Sequence, residues 1–273
     1  MSRRLLVIGA HPDDPDIRAG GLACSWADAG HDVRFVSMTD GRSGHHEQGG
    51  SELAERRRQE AAAAADTAGI EYRVLDNPDG RLEPTLENRE TVIELIREYD
   101  PDLVLTHRTN DYHPDHRYTS QLVRDAAYMV TVPNVCPETP ALEDNPVFAY
   151  LLDTFERPYP FTPDVIVPID DEHVDCKYDA LDCHESQMYE WLPYNKGELE
   201  AVPDDPDDRR EWLETDPIPG LAEMRATADR FRDDLIEQHG PERGREIEYA
   251  EAFEVSEYGG DLTSPLASDL VSP

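Results

Sequence analysis

The sequence predicts an α/β fold: a Rossmann-like, open and mainly parallel sheet flanked by helices. Short β-favouring runs alternate with helix-like segments through the first half of the 273 residues, the pattern of a parallel sheet with right-handed crossovers. Two of those runs end in turns dense in His and Asp, and open α/β sheets bind ligands at the carboxyl ends of their strands. With a strand order 3-2-1-4 the connections reverse direction between strands 1 and 4. The two His/Asp turns then become neighbours at the switch point, which places a metal site at the carboxyl ends of strands 1 and 4.

Strand 1 (about residues 4–9) contains Leu5-Leu6-Val7-Ile8-Gly9 and stops at Ala10-His11-Pro12-Asp13-Asp14. Pro15 suits the first position of a helix over 15–29 and Asp14 suits its N-cap, with Gly30 closing it. Strand 2 is Val33–Met38. Its exit, residues 39–50, is a Gly-rich loop that lacks the GxGxxG spacing of a dinucleotide site. It reads as a mobile cover over the site, with His45 and His46 as solvated loop histidines. Ser51 is placed as the cap of an alanine-rich helix over 51–68, ended by Gly69. Strand 3 (72–75) leads through Asn77-Pro78-Asp79-Gly80 to an amphipathic helix over 86–99, stopped by Asp100-Pro101. Strand 4 (103–106) runs into the second His-rich turn and a helix over 115–130. Beyond it come a Pro-rich stretch at 131–146, strands at 147–152 and 164–169, and a helix over 171–187. An acidic insertion at 204–208, helix over 219–239 and a strand at 246–255 follow. The chain reads as one domain, 1–273: a core over about 3–190, a C-terminal extension over about 191–258, and a frayed tail at 259–273.

Sixty acidic residues face 25 basic ones, a formal charge of −35, and the acid is spread along the chain rather than gathered in a block. Dispersed carboxylate with only Lys177 and Lys196 as lysines suits concentrated salt, where self-repulsion is screened. The expectation is a cytoplasmic protein of an extreme halophile. Nucleic acid and anionic membranes are excluded as partners, because phosphate contacts need clustered Lys and Arg. No apolar run is long enough for a membrane span. Four cysteines are too sparse for a disulfide framework in a chain of this length, which points to a reducing compartment. Cys176, Cys183, His173 and His184 lack the paired spacing of structural zinc and read as core cysteines with bystander histidines.

Taken alone, His11-Pro12-Asp13-Asp14 reads equally well as a turn with a capping carboxylate. Capping does not explain a second cluster, His107 to Arg117, that repeats strand, His-rich turn, proline and helix. Together these residues resemble the PIG-L/LmbE family of zinc-dependent N-acetylglucosaminyl deacetylases. The family's AHPDD and HPDH turns stand intact at His11–Asp14 and His113–His116. Weaker echoes are Thr39-Asp40-Gly41, Arg57 with Glu60, Asp79-Gly80, His184-Glu185-Ser186-Gln187 and Tyr249–Phe253.

The resemblance implies one Zn2+ per chain, held by His11, Asp14 and His116, with a position left for water. It makes Asp13 the general base and His113 the donor to the oxyanion and a source of the proton for the leaving amine. Asp115 is expected to pair with the far ring nitrogen of His113. Arg57, His184 and Gln187 are candidates for substrate binding. By residues alone, Arg57 and Glu60 form an exposed i,i+3 ion pair. The implied reaction is removal of the N-acetyl group from a small GlcNAc-containing sugar, and a homo-oligomer is left open. The alternatives are a metal-dependent hydrolase of a non-sugar amide or ester, or a non-catalytic Rossmann-like binding protein. An unligated carboxylate beside the metal, Asp13, argues against the last.

Overall fold

A computed structural model describes residues 2–215 and 221–271. Its sheet has seven strands: β1 (Arg4–Gly9), β2 (Asp32–Thr39), β3 (Glu71–Asn77), β4 (Leu103–Thr106), β5 (Val147–Leu151), β6 (Val165–Pro168) and β7 (Ala250–Val255). Their order is β3-β2-β1-β4-β5-β7-β6. The pairings from β3 through β5 are parallel, and β7 lies antiparallel between β5 and β6. The expected 3-2-1-4 order is therefore present. Ile8 pairs with Thr106 at the ends of β1 and β4, so the two His/Asp turns leave the sheet side by side.

Alternation along the strands builds two cores. Leu5, Val7, Phe35, Leu103 and Leu105 point to one face, where they meet Leu22 and Trp26 of α1 (Asp14–Asp28) and Tyr178 of a later helix. Leu6, Ile8, Val36 and Val104 point to the other, against Val92 and Ile96 of α3 (Leu86–Tyr99) and Leu122 and Val123 of α4 (Pro114–Met129). Between them in the chain, α2 (Gly50–Ala68) ends on Gly69 in the left-handed conformation, φ 68°. The later helix is α5 (Asp171–Asp182). Ala19 leaves helical geometry inside α1. The Gly21 and Leu22 N–H groups beyond it donate to Glu251 of β7 at 3.0 and 2.9 Å. Glu251 also accepts from Lys177 Nζ at 2.9 Å, so one buried carboxylate ties β7, α1 and α5 together.

Several expectations are corrected. Ser51 is not a cap: α2 starts at Gly50, with Gly49 in the N-cap position and no side-chain cap. The helix expected over 171–187 stops at Asp182, and a π-helical turn, Ser186–Trp191, follows. The helix expected over 219–239 is two, Leu221–Arg230 and Arg232–His239, broken at Phe231; positions 219 and 220 lie outside the described residues. The extension is integral, because β7 sits inside the sheet. Within the described residues the tail is not frayed: Ser264–Val271 is a helix whose Leu266 and Leu270 are buried in the core, and positions 272 and 273 lie outside them. Cys24 and Cys176 form a disulfide joining α1 to α5, with Cα atoms 6.2 Å apart, which removes the cysteine argument for a reducing compartment. Asp204 and Asp205 of the acidic insertion are exposed, as expected.

Candidate metal centre

The turn after β1 is tight. A Cβ on Gly9 would stand 2.8 Å from Pro15 Cδ, so the chain can fold back on the strand end only with glycine there. His11 C=O accepts from the Asp13 and Asp14 N–H groups at 3.0 and 3.3 Å. Asp13, not Asp14, occupies the N-cap position of α1, and it makes no side-chain cap bond. Asp14 turns its carboxylate back toward the strand end, where Oδ2 accepts from the Ala10 and His11 N–H groups at 3.1 and 2.8 Å. The capping reading of Asp14 is thereby replaced by one that aims the carboxylate at His11 and His116.

Those three side chains form a compact triangle. His11 Nδ1 lies 3.3 Å from Asp14 Oδ2, His116 Nε2 lies 3.4 Å from the same oxygen, and the two nitrogens are 3.2 Å apart. Bonds of ~2.0–2.1 Å to a tetrahedral ion give ligand–ligand edges of about 3.3–3.4 Å. The residues present thus fit a single divalent ion.

The far nitrogens of both imidazoles face carboxylates. His11 Nε2 is buried without a hydrogen-bond partner, 3.2 Å from Asp79 Oδ1 and 3.6 Å from Asp115 Oδ2. His116 Nδ1 is 3.1 Å from Asp111 Oδ2. A carboxylate on the far nitrogen draws the proton there and leaves the other lone pair for a metal. Burial opposes a proton on His11, yet Asp115, Asp14 and Asp79 overcome it and raise its pKa well above the usual histidine value. Burial likewise opposes ionisation of Asp14, but His116, His107 and His11 hold it well below the usual carboxylate range. Against its burial, His11 and Arg57 lower Asp79 to about 2. Such a site calls for positive charge.

Asp13 is buried beside the triangle, and its Oδ1 accepts from Arg57 Nη2 at 3.0 Å. Arg57 also donates to the Pro12 and Gly41 carbonyls at 3.0 and 3.3 Å. Gly41 has φ 68°, and a Cβ on it would lie 2.5 Å from the guanidinium, so the Thr39-Asp40-Gly41 echo makes room for Arg57. His113 is the N-cap of α4: its Nδ1 accepts the Asp115 backbone N–H at 3.2 Å. That bond fixes the neutral tautomer with the proton on Nε2. Burial and the neighbouring His11 and His116 lower the His113 pKa further. The expected pairing of the Asp115 carboxylate with His113 is not made. Asp115 Oδ2 instead accepts from Gly80 N–H at 2.6 Å and faces His11.

A cavity of about 420 Å3 opens beside these groups, lined among others by His11, Asp13, Asp14, His113 and His116. Arg57 and Gln187 line it too, but Arg57 is spent on Asp13, and Gln187 Nε2 donates to Gly44 C=O at 3.0 Å. His184 is not in the cavity: it is fully buried, 3.2 Å from Asp16 Oδ2. The exposed Arg57–Glu60 pair is not formed either, since Glu60 is buried and accepts from the Ser186 N–H and hydroxyl. Nor are the loop histidines solvated. His45 Nε2 is 2.7 Å from Glu190, and His46 stacks on Tyr194 with ring centroids 4.2 Å apart. Three groups given no role by the sequence enter the site: Asp79, Asp111, and His107, which stacks on His116 at 4.2 Å and accepts from Ala10 N–H. Each lies on a segment leaving the carboxyl end of β3 or β4, and position after a strand was the available signal.

Three comparisons place this geometry. The family model PIG-L, GlcNAc-PI de-N-acetylase, matches residues 6–127. Over 203 residues the chain is 32% identical to the diacetylchitobiose deacetylase of Thermococcus kodakarensis, covering 70% of this chain and 74% of that protein. The N,N′-diacetylchitobiose deacetylase of Pyrococcus horikoshii superposes with a TM-score of 0.67 at 25% identity, over 93% of this chain and 84% of that one. GalB, a 4-carboxy-2-hydroxymuconate hydratase from Pseudomonas putida, superposes with a TM-score of 0.71 at 20% identity, over 96% and 100%. The last shares the fold alone, so fold does not decide the reaction and the site must.

Proposed function

The chain belongs to the PIG-L family, and from that premise we propose that it is a metal-dependent N-deacetylase acting on a small GlcNAc-containing sugar. The observation that carries the reading is the His11–Asp14–His116 triangle with Asp13 left outside it, beside the same cavity. We further propose zinc as the ion. Once bound, it would polarise the acetamide carbonyl and lower the pKa of the attacking water toward neutrality.

The chain's own residues do the rest. Asp13 accepts the proton that the attacking water loses as its oxygen bonds to the acetamide carbon. Arg57 holds one Asp13 oxygen at 3.0 Å, which fixes the carboxylate in place for the transfer. His113, kept neutral by the α4 cap bond, donates its Nε2 proton as a hydrogen bond to the carbonyl oxygen while that oxygen becomes anionic. When the C–N bond breaks, Asp13 returns its proton to the departing nitrogen; the second water proton leaves the acetic acid for the amine, giving acetate and an ammonium product. This assigns the amine's proton to Asp13 rather than His113, because a neutral, cap-bonded imidazole has no proton to spare.

Dispersed carboxylate on a chain of charge −35 also supports, as part of this reading, a working environment of molar salt, which we propose is a halophile's cytoplasm. Among the described residues no helix is long and apolar enough to cross a membrane. The test is acetate release from N,N′-diacetylchitobiose by zinc-loaded protein in concentrated salt. Release that disappears on chelation and returns with metal is the expected result; no release from any N-acetylated sugar by fully loaded protein overturns the reading.

A further inference from the structure

The cavity beside the triangle carries a charge pattern that bears on what it admits. Three guanidinium groups line it, and each is already engaged: Arg18 by Glu223 at 2.5 Å, Arg57 by Asp13 at 3.0 Å, and Arg108 by both oxygens of Asp153 at 2.7 Å. Among the described residues lining it, no cation remains for an anionic substituent. The lining carboxylates Asp13, Asp14, Asp79, Asp111 and Asp153, together with Glu223 on Arg18, number six against three guanidiniums. A divalent ion in the metal site still leaves the wall and its partners with no positive charge over.

Apolar side chains share the wall with uncharged polar ones: Ile17, Leu152, Phe155, Trp191 and Leu192 beside Ser43, Gln187 and Asn195. Trp191 is braced by a column of rings. It stacks on Tyr194 with centroids 5.9 Å apart, Tyr194 stacks on His46 at 4.2 Å, and His46 on His45 at 4.6 Å. The His45–Glu190 contact at 2.7 Å anchors the column. An indole held this way is a preformed platform that need not be ordered when a ring packs on it.

Resting on the deacetylase reading above, we infer that this cavity selects neutral substrates: an uncharged N-acetylated sugar whose second, non-reacting ring packs on Trp191, to the exclusion of conjugates bearing a carboxylate or phosphate. An anion brought here gives up its water without meeting a free cation, and it lies beside Asp79, Asp111 or Asp153.

Binding and turnover are measured separately on metal-loaded protein in multi-molar salt. There the overall −35 charge is screened and only short-range contacts discriminate. The probes are N,N′-diacetylchitobiose, N-acetylglucosamine and N-acetylglucosamine 6-phosphate. Calorimetric affinity should fall in that order, with the phosphate weaker than its parent sugar by about tenfold or more. Trp191→Ala should weaken the disaccharide about fivefold more than the monosaccharide. Glu223→Gln, which frees Arg18, should narrow the gap between the phosphate and its parent. Equal affinity for N-acetylglucosamine and its 6-phosphate, or a Trp191→Ala loss that is the same for one ring and two, overturns the inference. Acetate release from the same samples keeps the claims apart. Graded binding with no acetate from any probe supports the selection and overturns the deacetylase reading, whereas acetate from all three at equal kcat/KM does the reverse.

Discussion

Replacing Asp13 by Asn separates proton transfer from metal binding. The Asp13 side chain is 9% exposed and Oδ1 takes one hydrogen bond, from Arg57 at 3.0 Å. An asparagine oxygen keeps that acceptor. What is lost is the difference between a charge-assisted and a neutral bond, about 1–2 kcal/mol. That is small beside a usual total of ~5–15 kcal/mol, so Asp13→Asn should fold. Asp13 contributes no atom to the triangle of His11 Nδ1, Asp14 Oδ2 and His116 Nε2, so metal content should match the parent protein. Turnover should fall by ~10²–10⁴, the usual worth of a positioned base and equal to roughly 3–5 kcal/mol of barrier. Asp14→Asn is the counterpart: its backbone hydrogen bonds survive, but the charged ligand is gone and the metal should leave. The assay is metal per chain by mass spectrometry after desalting into metal-free concentrated salt, with kcat from acetate release on the same samples. If Asp13→Asn emerges without metal, Asp13 is a ligand and the division of labour within His11–Asp14 is wrong. If it keeps metal and full kcat, the base lies elsewhere.

Three further outcomes follow from the same contacts. Arg57→Ala strips the donor from Asp13 and from the Pro12 and Gly41 carbonyls; leaving that buried charge unpaired should cost ~3–5 kcal/mol in denaturant unfolding, and a loss below ~1 kcal/mol would show the pairing is unimportant. Because its carboxylate neighbours raise the His11 pKa well above the usual value, a proton competes with the metal below that pKa. Affinity should climb with pH and level off once His11 is neutral in the free protein, and metal uptake should release protons measurable by calorimetry in different buffers; affinity independent of pH between roughly 5 and 9 would contradict the assignment of His11 as ligand. Dilution from molar salt to ~0.1 M should unfold the chain cooperatively by circular dichroism, as repulsion among 60 acidic residues loses its screening; unchanged stability would remove the halophilic reading and leave the chemistry untouched.

The order of the first four strands was within reach because alternating strands and helices with right-handed crossovers leave few arrangements, of which 3-2-1-4 is the one present; the placing of the last three strands was not. The meeting of the two turns followed from that order alone. Finer placement failed where a side chain had two local uses. Asp14 could satisfy its own helix or the strand end behind it, and only the path of the turn at Gly9 and Pro15 decides for the strand end. Arg57 looked exposed as half of an i,i+3 pair. Yet it shares a helix face with the buried Leu53, Glu60, Ala61 and Ala64, a stripe that marks it as inward. His184 and Gln187 were taken together, but α5 ends at Asp182 and the π-helical turn sends them apart, one to Asp16 and one to the cavity. The Cys24–Cys176 bond spans 152 residues, a pairing that spacing does not encode. The carboxylates of Asp79 and Asp111 reach His11 and His116 through loops, and loop paths have no periodicity to read.

The most direct test of the account is anomalous diffraction at the zinc edge from crystals of the metal-loaded protein. Besides the His11–Asp14–His116 triangle, side chains in this site offer three overlapping clusters: His11 with His113 and His116, Asp14 with His107 and His116, and His11 with Asp79 and Asp115. One peak is expected, at about 2.0–2.1 Å from His11 Nδ1, Asp14 Oδ2 and His116 Nε2 together, with Asp13 and His113 beyond bonding distance. A peak seated instead on His11 Nε2 between Asp79 and Asp115, or one bonded by Asp13, would contradict it.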